Sequence, residues 1–501
     1  MDPKYALDIV DWLEKQRFGP EDFAPSPKAV QHKVEERAPK ARTGEKPAGK
    51  VPIKIYELVR RGGRTFERAR TAWVNPEVAK RLNQRKVATD WVRTFGNYLP
   101  LYFIGGYVRD KFFKKVSKDI DIITLIPLSE VRPILKKLNI AYKDKSNAHA
   151  RINFEVGGIS VDVISVQSSE LAENLRSRDF TINAIAQSVT GQFYDPTRGL
   201  DDVKNKMLRT PGNDPFTTFN NDPLRILRGI RFLADLPIKP HPDIAEAVEK
   251  TVKGLEEKKP RRIGFELKRI LSSAKPWVGV KYIVDWGILP YISQALVDSY
   301  EERQGANHKY NAGPQTIAAL KKLKSQDPVT NLSILFSNVG IVDPGSGDIY
   351  KKSSEIARKE LQRLGFSKKD SRRIETMIYN LKIIYLESPT PDDYRKVALS
   401  LDADLERFYA FVDAYVKTTR LDSSLSEKLK TEISKYSKVN RENDGEELRE
   451  TAGVEKFDDS EELLKSLVLG EINSSLNLLV NEDTSIKEID EMLDLVEVSN
   501  G

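Results

Sequence analysis

YFIGGYVRD at 102–110, followed by DIDIITLI at 119–126, decides how this chain folds. The first stretch passes from apolar residues through a glycine pair into VRD, which reads as strand, turn and helix start. The second alternates acids with isoleucines, as a half-buried strand does. RINFEV at 151–156 and ISVDVISV at 159–166 carry the same period. Working outward, a mixed α/β domain covers roughly 53–200, and the mixed apolar and basic residues of 53–100 predict helices leading into its first strand. After about 215 the period becomes helical in DPLRILRGIRFLADL, PDIAEAVEKTVKGLEEK and RRIGFELKRILSSA, and helical segments continue to about 420. At the N-terminus, residues 1–18 predict a short amphipathic helix, and 19–52 have the Pro, Lys, Glu and Ala content of a linker.

The 501 residues contain no cysteine, which excludes disulfides, thiolate zinc sites and cysteine nucleophiles. His32, His149, His241 and His308 show no metal-ligand spacing, so metal chemistry falls to carboxylates and points to hard ions such as magnesium. The net charge of +7 conceals a division. Residues 421–501 carry 9 basic and 21 acidic side chains, a net of −12, so the preceding residues balance to +19. A basic body suits a polyanion, because lysines and arginines displace counterions condensed on phosphates. No apolar run approaches the length of a membrane span, and the N-terminus lacks the basic start and apolar stretch of a signal peptide. The expected location is the cytoplasm.

Asp119 and Asp121 are separated by one residue, so on a strand they share a face. Two carboxylates side by side raise each other's pKa unless a cation lies between them, and Mg²⁺ takes one or two carboxylates plus waters and phosphates. An isolated D-x-D is more often two solvent-facing acids. What changes its weight is Gly105-Gly106 before it, with Arg109 close behind. A glycine pair lets backbone amides approach a ligand, a helix start favours an anion, and arginine adds a charge-assisted contact to phosphate. Asp162, in ISVDVISV, completes a three-carboxylate cluster if its strand lies beside the first, which would suit a two-metal arrangement. Further on, Arg178, Asp179 and Asn183 bring polar groups into an apolar segment, where each needs a partner. Asp222 and Arg225 lead into Arg228 and Arg231, spaced three apart along one side of a helix. That row either faces a cleft or forms an ordinary charged surface.

GGYVRD (105–110), DID (119–121), RDFTINAIA (178–186), YDPTRGLDD (194–202), NDPLRILRGIRF (221–232) and PRRIGFELKRIL (260–271) together resemble the class II tRNA nucleotidyltransferases. These are the CCA-adding enzymes and the related bacterial poly(A) polymerases, and the resemblance runs in order over about 100–295. It implies an α+β chain: a palm-like nucleotidyltransferase head of mixed sheet and helices, then all-α neck, body and tail domains. The corresponding expected boundaries are 1–52 for the N-terminal helix and linker, 53–210 for the head and 211–295 for the neck. The body follows at 296–420 and the acidic tail at 421–501. The resemblance makes Asp119, Asp121 and Asp162 ligands of two Mg²⁺ ions. It gives Gly106, Arg109 and Arg178 to the triphosphate and sugar; Gly105, Asp179 and Asn183 are further candidate nucleotide-binding residues, the last two open also to a structural network of caps. Asp222 and Arg225 match the pair that serves as a protein template for the incoming base, with Arg228 and Arg231 nearer the phosphates. The physics is consistent, since an Asp–Arg pair offers the acceptors and donors of a base edge.

The chain departs from the family pattern in places. Asn221 replaces the usual Glu before Asp222, Ser177 replaces the first of two arginines before Asp179, and Ser165-Val166-Gln167 replaces the usual element after the third acid. None removes a carboxylate, but Asn221 bears on nucleotide choice. Residues 308–379 resemble a metal-dependent HD phosphohydrolase domain in which Ser337-Asn338 stand where His-Asp is usual, implying a helical scaffold or RNA-binding surface. The leading expectation is addition of CCA to tRNA 3′ ends from CTP and ATP. The alternatives are a poly(A) polymerase adding AMP to RNA 3′ ends, and a catalytically retired RNA-binding relative. The acidic C-terminus favours the first over the second, because bacterial poly(A) polymerases typically end in a basic extension.

Overall fold

A computed structural model describes residues 51–437, apart from 62–63, 75, 97–98, 114, 116, 118, 147–149, 213, 324 and 343–347. The expected N-terminal helix, nearly all of its linker, and the tail beyond 437 lie outside the described residues. The chain divides into two compact units: residues up to Pro389 with Ser400–Thr431, and Thr390–Leu399 with Glu432–Gly501.

In the first unit, strands β1 (Val51–Arg61) and β2 (Arg64–Val74) pair antiparallel over their whole length, from Val51↔Val74 to Arg61↔Arg64. Helices had been expected here. The signal that decides otherwise is Gly62-Gly63 between two segments rich in β-branched and aromatic residues, a hairpin pattern that competes with helix wherever both are readable. Only the second half of the expected run is helical, as α1 (Pro76–Gly96).

The head is then built on β3 (Leu101–Ile104), α2 (Gly105–Phe112), β4 (Asp119–Thr124), α3 (Leu128–Lys137), β5 (Tyr142–Ser146), β6 (Ala150–Val156) and β7 (Ile159–Ser165). Helix α4 (Leu171–Arg176) and short strands β8 (Ala186–Ser188) and β9 (Phe193–Tyr194) complete it. The sheet order is β5-β6-β7-β4-β3-β8-β9. Only β4 and β7 pair in parallel; the other neighbours are antiparallel. Parallel pairing requires a crossover, supplied here by α3, β5 and β6. Ile120, Ile122, Val161 and Val163 are buried, while α4 covers the other face at Ile104 and Ile123. Gly157 and Gly158 join β6 to β7 with φ of +59° and +75°, a two-residue turn with both central residues left-handed.

Beyond the sheet, α5 (Gly199–Asn205), β10 (Met207–Leu208) and α6 (Pro215–Asn221) lead into α7 (Leu224–Asp235). The apolar residues of α7 are buried against α9 (Pro260–Leu271) and α10 (Pro276–Asp285), which follow β11 (Lys239–Pro240) and α8 (Asp243–Thr251). Helices α11 (Leu289–Ile292), α12 (Gln294–Ser299) and α13 (Ala312–Lys322) come next, then α14 (Pro328–Phe336), buried from Val329 to Phe336. Around α14 stand α15 (Ile349–Arg363), α16 (Lys368–Asn380) and, later in the chain, α18 (Leu405–Val416). Just past α14, where the HD resemblance had been read, Asn338 accepts a hydrogen bond from the buried Tyr415 hydroxyl at 2.6 Å. His308 lies between Gln315 at 2.7 Å and Tyr385 at 3.0 Å. These polar side chains hydrogen-bond to one another in a packed interior.

The described part of the second unit comprises most of α17 (Pro391–Leu401) and the end of α19 (Leu425–Ser437), with Arg395 lying 5.9 Å over the Tyr436 ring. Among the described residues no helix is long and apolar enough to cross a membrane.

Candidate functional site

The register of the sheet assembles the site. Ile104, Asp121, Asp162 and Asn153 are successive Cα partners across β3, β4, β7 and β6, so they form one row with side chains on one face. Asp119 lies two residues before Asp121 on that same face and is exposed. Gly105 directly follows Ile104, with φ +61°, a conformation that costs glycine little. A Cβ built there would lie 3.2 Å from Asp121 Oδ2 and 3.6 Å from Arg178 Nη1. Gly105, Asp121 and Arg178 therefore converge on a small cradle that any side chain at 105 would fill. Gly106 opens α2, where a Cβ would meet Arg109 Nη2 at 3.5 Å.

Electrostatically the cradle wants a cation. The Asp121 carboxyl is pushed up to about 6, first by burial and then by Asp119, with Asp162 adding to it and Arg178 and Arg151 opposing. Arg151, which the sequence reading did not single out, sits 2.7 Å from Asp162 Oδ2 and 3.7 Å from Asp121 Oδ1. It occupies the space between two carboxylates as a metal ion would, and Asn153 donates to Asp162 Oδ1 at 3.1 Å. The three aspartates do not converge as a ready cluster. Among the described residues no group of three or more acidic or histidine side chains is placed to share an ion. Asp119 and Asp121 fit a hard divalent cation that takes two carboxylates, while Asp162 is held by Arg151. Strand parity was the available signal: with β6 and β7 antiparallel, Arg151 and Asn153 must share the face of Asp162.

The RDFTINA segment brings the next residues together. Burial pulls the Arg178 guanidinium pKa down, opposed by Asp121 and Asp179. Asp179, 6% exposed, accepts from Asn183 Nδ2 and the Phe180 N–H, both at 2.9 Å, and faces Arg228 Nη2 at 2.7 Å. Burial pushes its carboxyl up, but Arg228 and these donors outweigh it and hold the group below the usual carboxylate range. Asn183 in turn accepts from Arg109 Nη1 at 2.7 Å. The rest of the Arg109 guanidinium is engaged by Asp110, and it lies 4.9 Å over the Phe232 ring. Arg109, Asn183, Asp179 and Arg228 thus form a continuous polar chain from α2 to α7.

The proposed template residues are near one another but make no ion pair that the structure records. Asp222 Oδ1 accepts from the Leu224 N–H at 3.3 Å, fixing the start of α7. Arg225 instead reaches the Ser177 carbonyl at 2.9 Å and the Arg178 carbonyl at 3.5 Å. Asn221 is exposed at the end of α6. Arg231 differs from its neighbours on α7: it is 7% exposed and faces Glu266 of α9 at 3.6 Å. Burial brings its pKa down to about 10, with Glu266 opposing. Spacing of three put Arg231 in line with Arg225 and Arg228, but the packing of α9 against α7 gives it a protein carboxylate rather than an open side.

Residues 101–209 match the family model described as the poly A polymerase head domain. A CCA-adding enzyme of Oceanobacillus iheyensis is 34% identical over 200 residues, which are 37% of this chain and 49% of that enzyme. Over this part of its length the chain is similar to CCA-adding enzymes. The CC-adding tRNA nucleotidyltransferase of Halalkalibacterium halodurans is 28% identical over 194 residues, 38% of this chain and 49% of its own length. The chain thus spans about half the length of these curated relatives. In fold it is similar to the crystal structure of the Bacillus stearothermophilus CCA-adding enzyme in complex with CTP. The TM-score is 0.54 at 21% identity, covering 70% of this chain and 82% of that one.

Proposed function

We propose that this protein is a template-independent nucleotidyltransferase that adds CCA to tRNA 3′ ends from CTP and ATP. The observation that carries this reading is the convergence of Asp121, Gly105 and Arg178 on one cradle at the end of β3, with Asp119 beside it. A magnesium ion on Asp119 and Asp121, joined by a second, would polarise the phosphoryl oxygens and lower the pKa of the attacking 3′-hydroxyl. Gly105 leaves the backbone bare for the triphosphate to approach, and Arg178 supplies positive charge from a desolvated position where each contact counts for more. The chain from Arg109 to Arg228 fixes Asp179 and Asn183, so the sugar and phosphates meet an already ordered surface. Asp162 pairs with Arg151, and it would serve as a third carboxylate beside Asp121 only with that ion pair broken. Asp222 and Arg225 present an acceptor and donors at the head of α7 for the incoming base. The names of the relatives support tRNA as the acceptor, and a tRNA-processing role supports a cytoplasmic location.

The test is the purified full chain with a tRNA lacking its CCA end, given each nucleotide in turn. Cytidine should be incorporated from CTP alone, and a single adenosine only after two cytidines. Long A tails without C would overturn the reading in favour of poly(A) addition, and two cytidines with no adenosine would make the enzyme CC-adding. Asp119→Ala with Asp121→Ala should lower transfer by on the order of 10³-fold while leaving tRNA affinity within about twofold, since backbone contacts dominate binding. Transfer that survives this change removes the carboxylates from the mechanism.

A further inference from the structure

The catalytic cleft does not account for a second concavity, a cavity of about 210 Å³ where the Thr197–Arg198 turn and the Arg209–Gly212 segment meet the start of α8. Its lining includes Thr197, Arg198, Arg209, Thr210, His241 and Asp243. Thr210 is 1% exposed, yet its hydroxyl has no hydrogen-bond partner among the described residues. A buried hydroxyl left unpaired is unfavourable, so a partner that reaches it is favoured.

The donors around it are prepared for that partner. Arg209 gives Nε and Nη2 to Asp202, at 3.1 and 2.7 Å. Asp202 is itself fixed by the Thr181 hydroxyl at 2.7 Å, so the guanidinium is rigidly held with Nη1 outside that pairing. Arg198 sits at φ +60°, a left-handed conformation uncommon for a residue with a side chain, and gives Nε to Asp201 at 3.2 Å. Its terminal nitrogens remain beyond that contact. His241 is oriented by Asp243, with Nδ1 3.3 Å from the carboxylate, the one acid on the lining. Two guanidinium groups, an imidazole and a buried hydroxyl among the lining of one polar cavity are donors suited to the oxygens of a tetrahedral anion.

We propose that this cavity is a binding site for a phosphate group, held by Arg198, Arg209, His241 and the Thr210 hydroxyl. The phosphate comes either from an RNA backbone or from free phosphate in solution, and the experiment separates the two. Inorganic phosphate is titrated calorimetrically into the full-length wild type, an R198Q/H241Q double variant and Thr210→Val. The proposal expects the double variant to lose one equivalent of binding or to weaken it by at least about tenfold, and Thr210→Val to weaken it by about tenfold. Arg198→Gln alone, at a side chain 81% exposed, serves where the double variant fails to fold. In the second arm, affinity for tRNA lacking CCA is measured across a salt series. A backbone phosphate in the cavity makes the double variant's salt slope shallower by about 1. A free phosphate leaves tRNA affinity unchanged and still binds in the presence of tRNA. Phosphate binding equal to wild type in the variants, with tRNA affinity and slope also unchanged, overturns the proposal.

Discussion

Asp179 shows how much a single buried carboxylate organises in this head. It joins the Phe180 backbone, Asn183 and Arg228, and through Asn183 it holds Arg109. Replacing it with Asn keeps the size but leaves Arg228 facing a neutral group and one of the donors unmatched, a loss of about 1–3 kcal/mol. The pH dependence follows from the direction of its shift. A carboxyl held below its usual value stabilises the fold above the unfolded pKa of about 3.9, and that stability is lost as pH falls through the folded value. Urea unfolding of wild type and Asp179→Asn should therefore differ at pH 7 and approach each other near pH 3. A difference that stays constant over that range would show that Asp179 acts through shape alone.

Among elements, the strands bearing carboxylates were legible because β4 and β7 alternate polar with apolar residues through their first four or five positions. Their adjacency was not, since a parallel pair separated by a crossover leaves no mark in local sequence. Arg151 was hidden for the same reason: its role depends on which strands pair, and RINFEV reads equally well in either orientation. Strand β5, YKDKS, lacks apolar alternation altogether and exists because β6 offers it an edge. The β1–β2 hairpin was misread because basic residues interrupt its pattern. Helical α7 and α9 were readable from their period, but the tightness of the packing around them was not. A Cβ on Gly264 of α9 would collide with the Leu364 carbonyl and its side chain at the end of α15. Gly264→Ala should destabilise the protein by about 1–3 kcal/mol. Transfer per folded molecule should be unchanged, as thermal melting and activity on the same preparation will show. Lost transfer with an unaltered melt would contradict this.

At the scale of the whole molecule, a body of +19 is joined to a tail of −12, and an acidic tail competes with any polyanion for the body's cations. Removing residues 438–501 should tighten tRNA binding at low salt, with the gain shrinking as the Debye length falls toward about 8 Å at physiological ionic strength. An unchanged affinity at both salts would leave the tail without an electrostatic role. The face that carries the carboxylates depends on something smaller. Gly157 and Gly158 are the whole connection between β6 and β7, and that two-residue turn sets which residues oppose Asp162. One extra residue there would advance β6 by a position, turning Ile152 toward the cleft and Arg151 and Asn153 away. The counter-charge would be exchanged for a hydrocarbon without touching Asp119, Asp121 or Asp162. For a sheet of this design a single inserted codon at a surface loop is a change of reading frame in space.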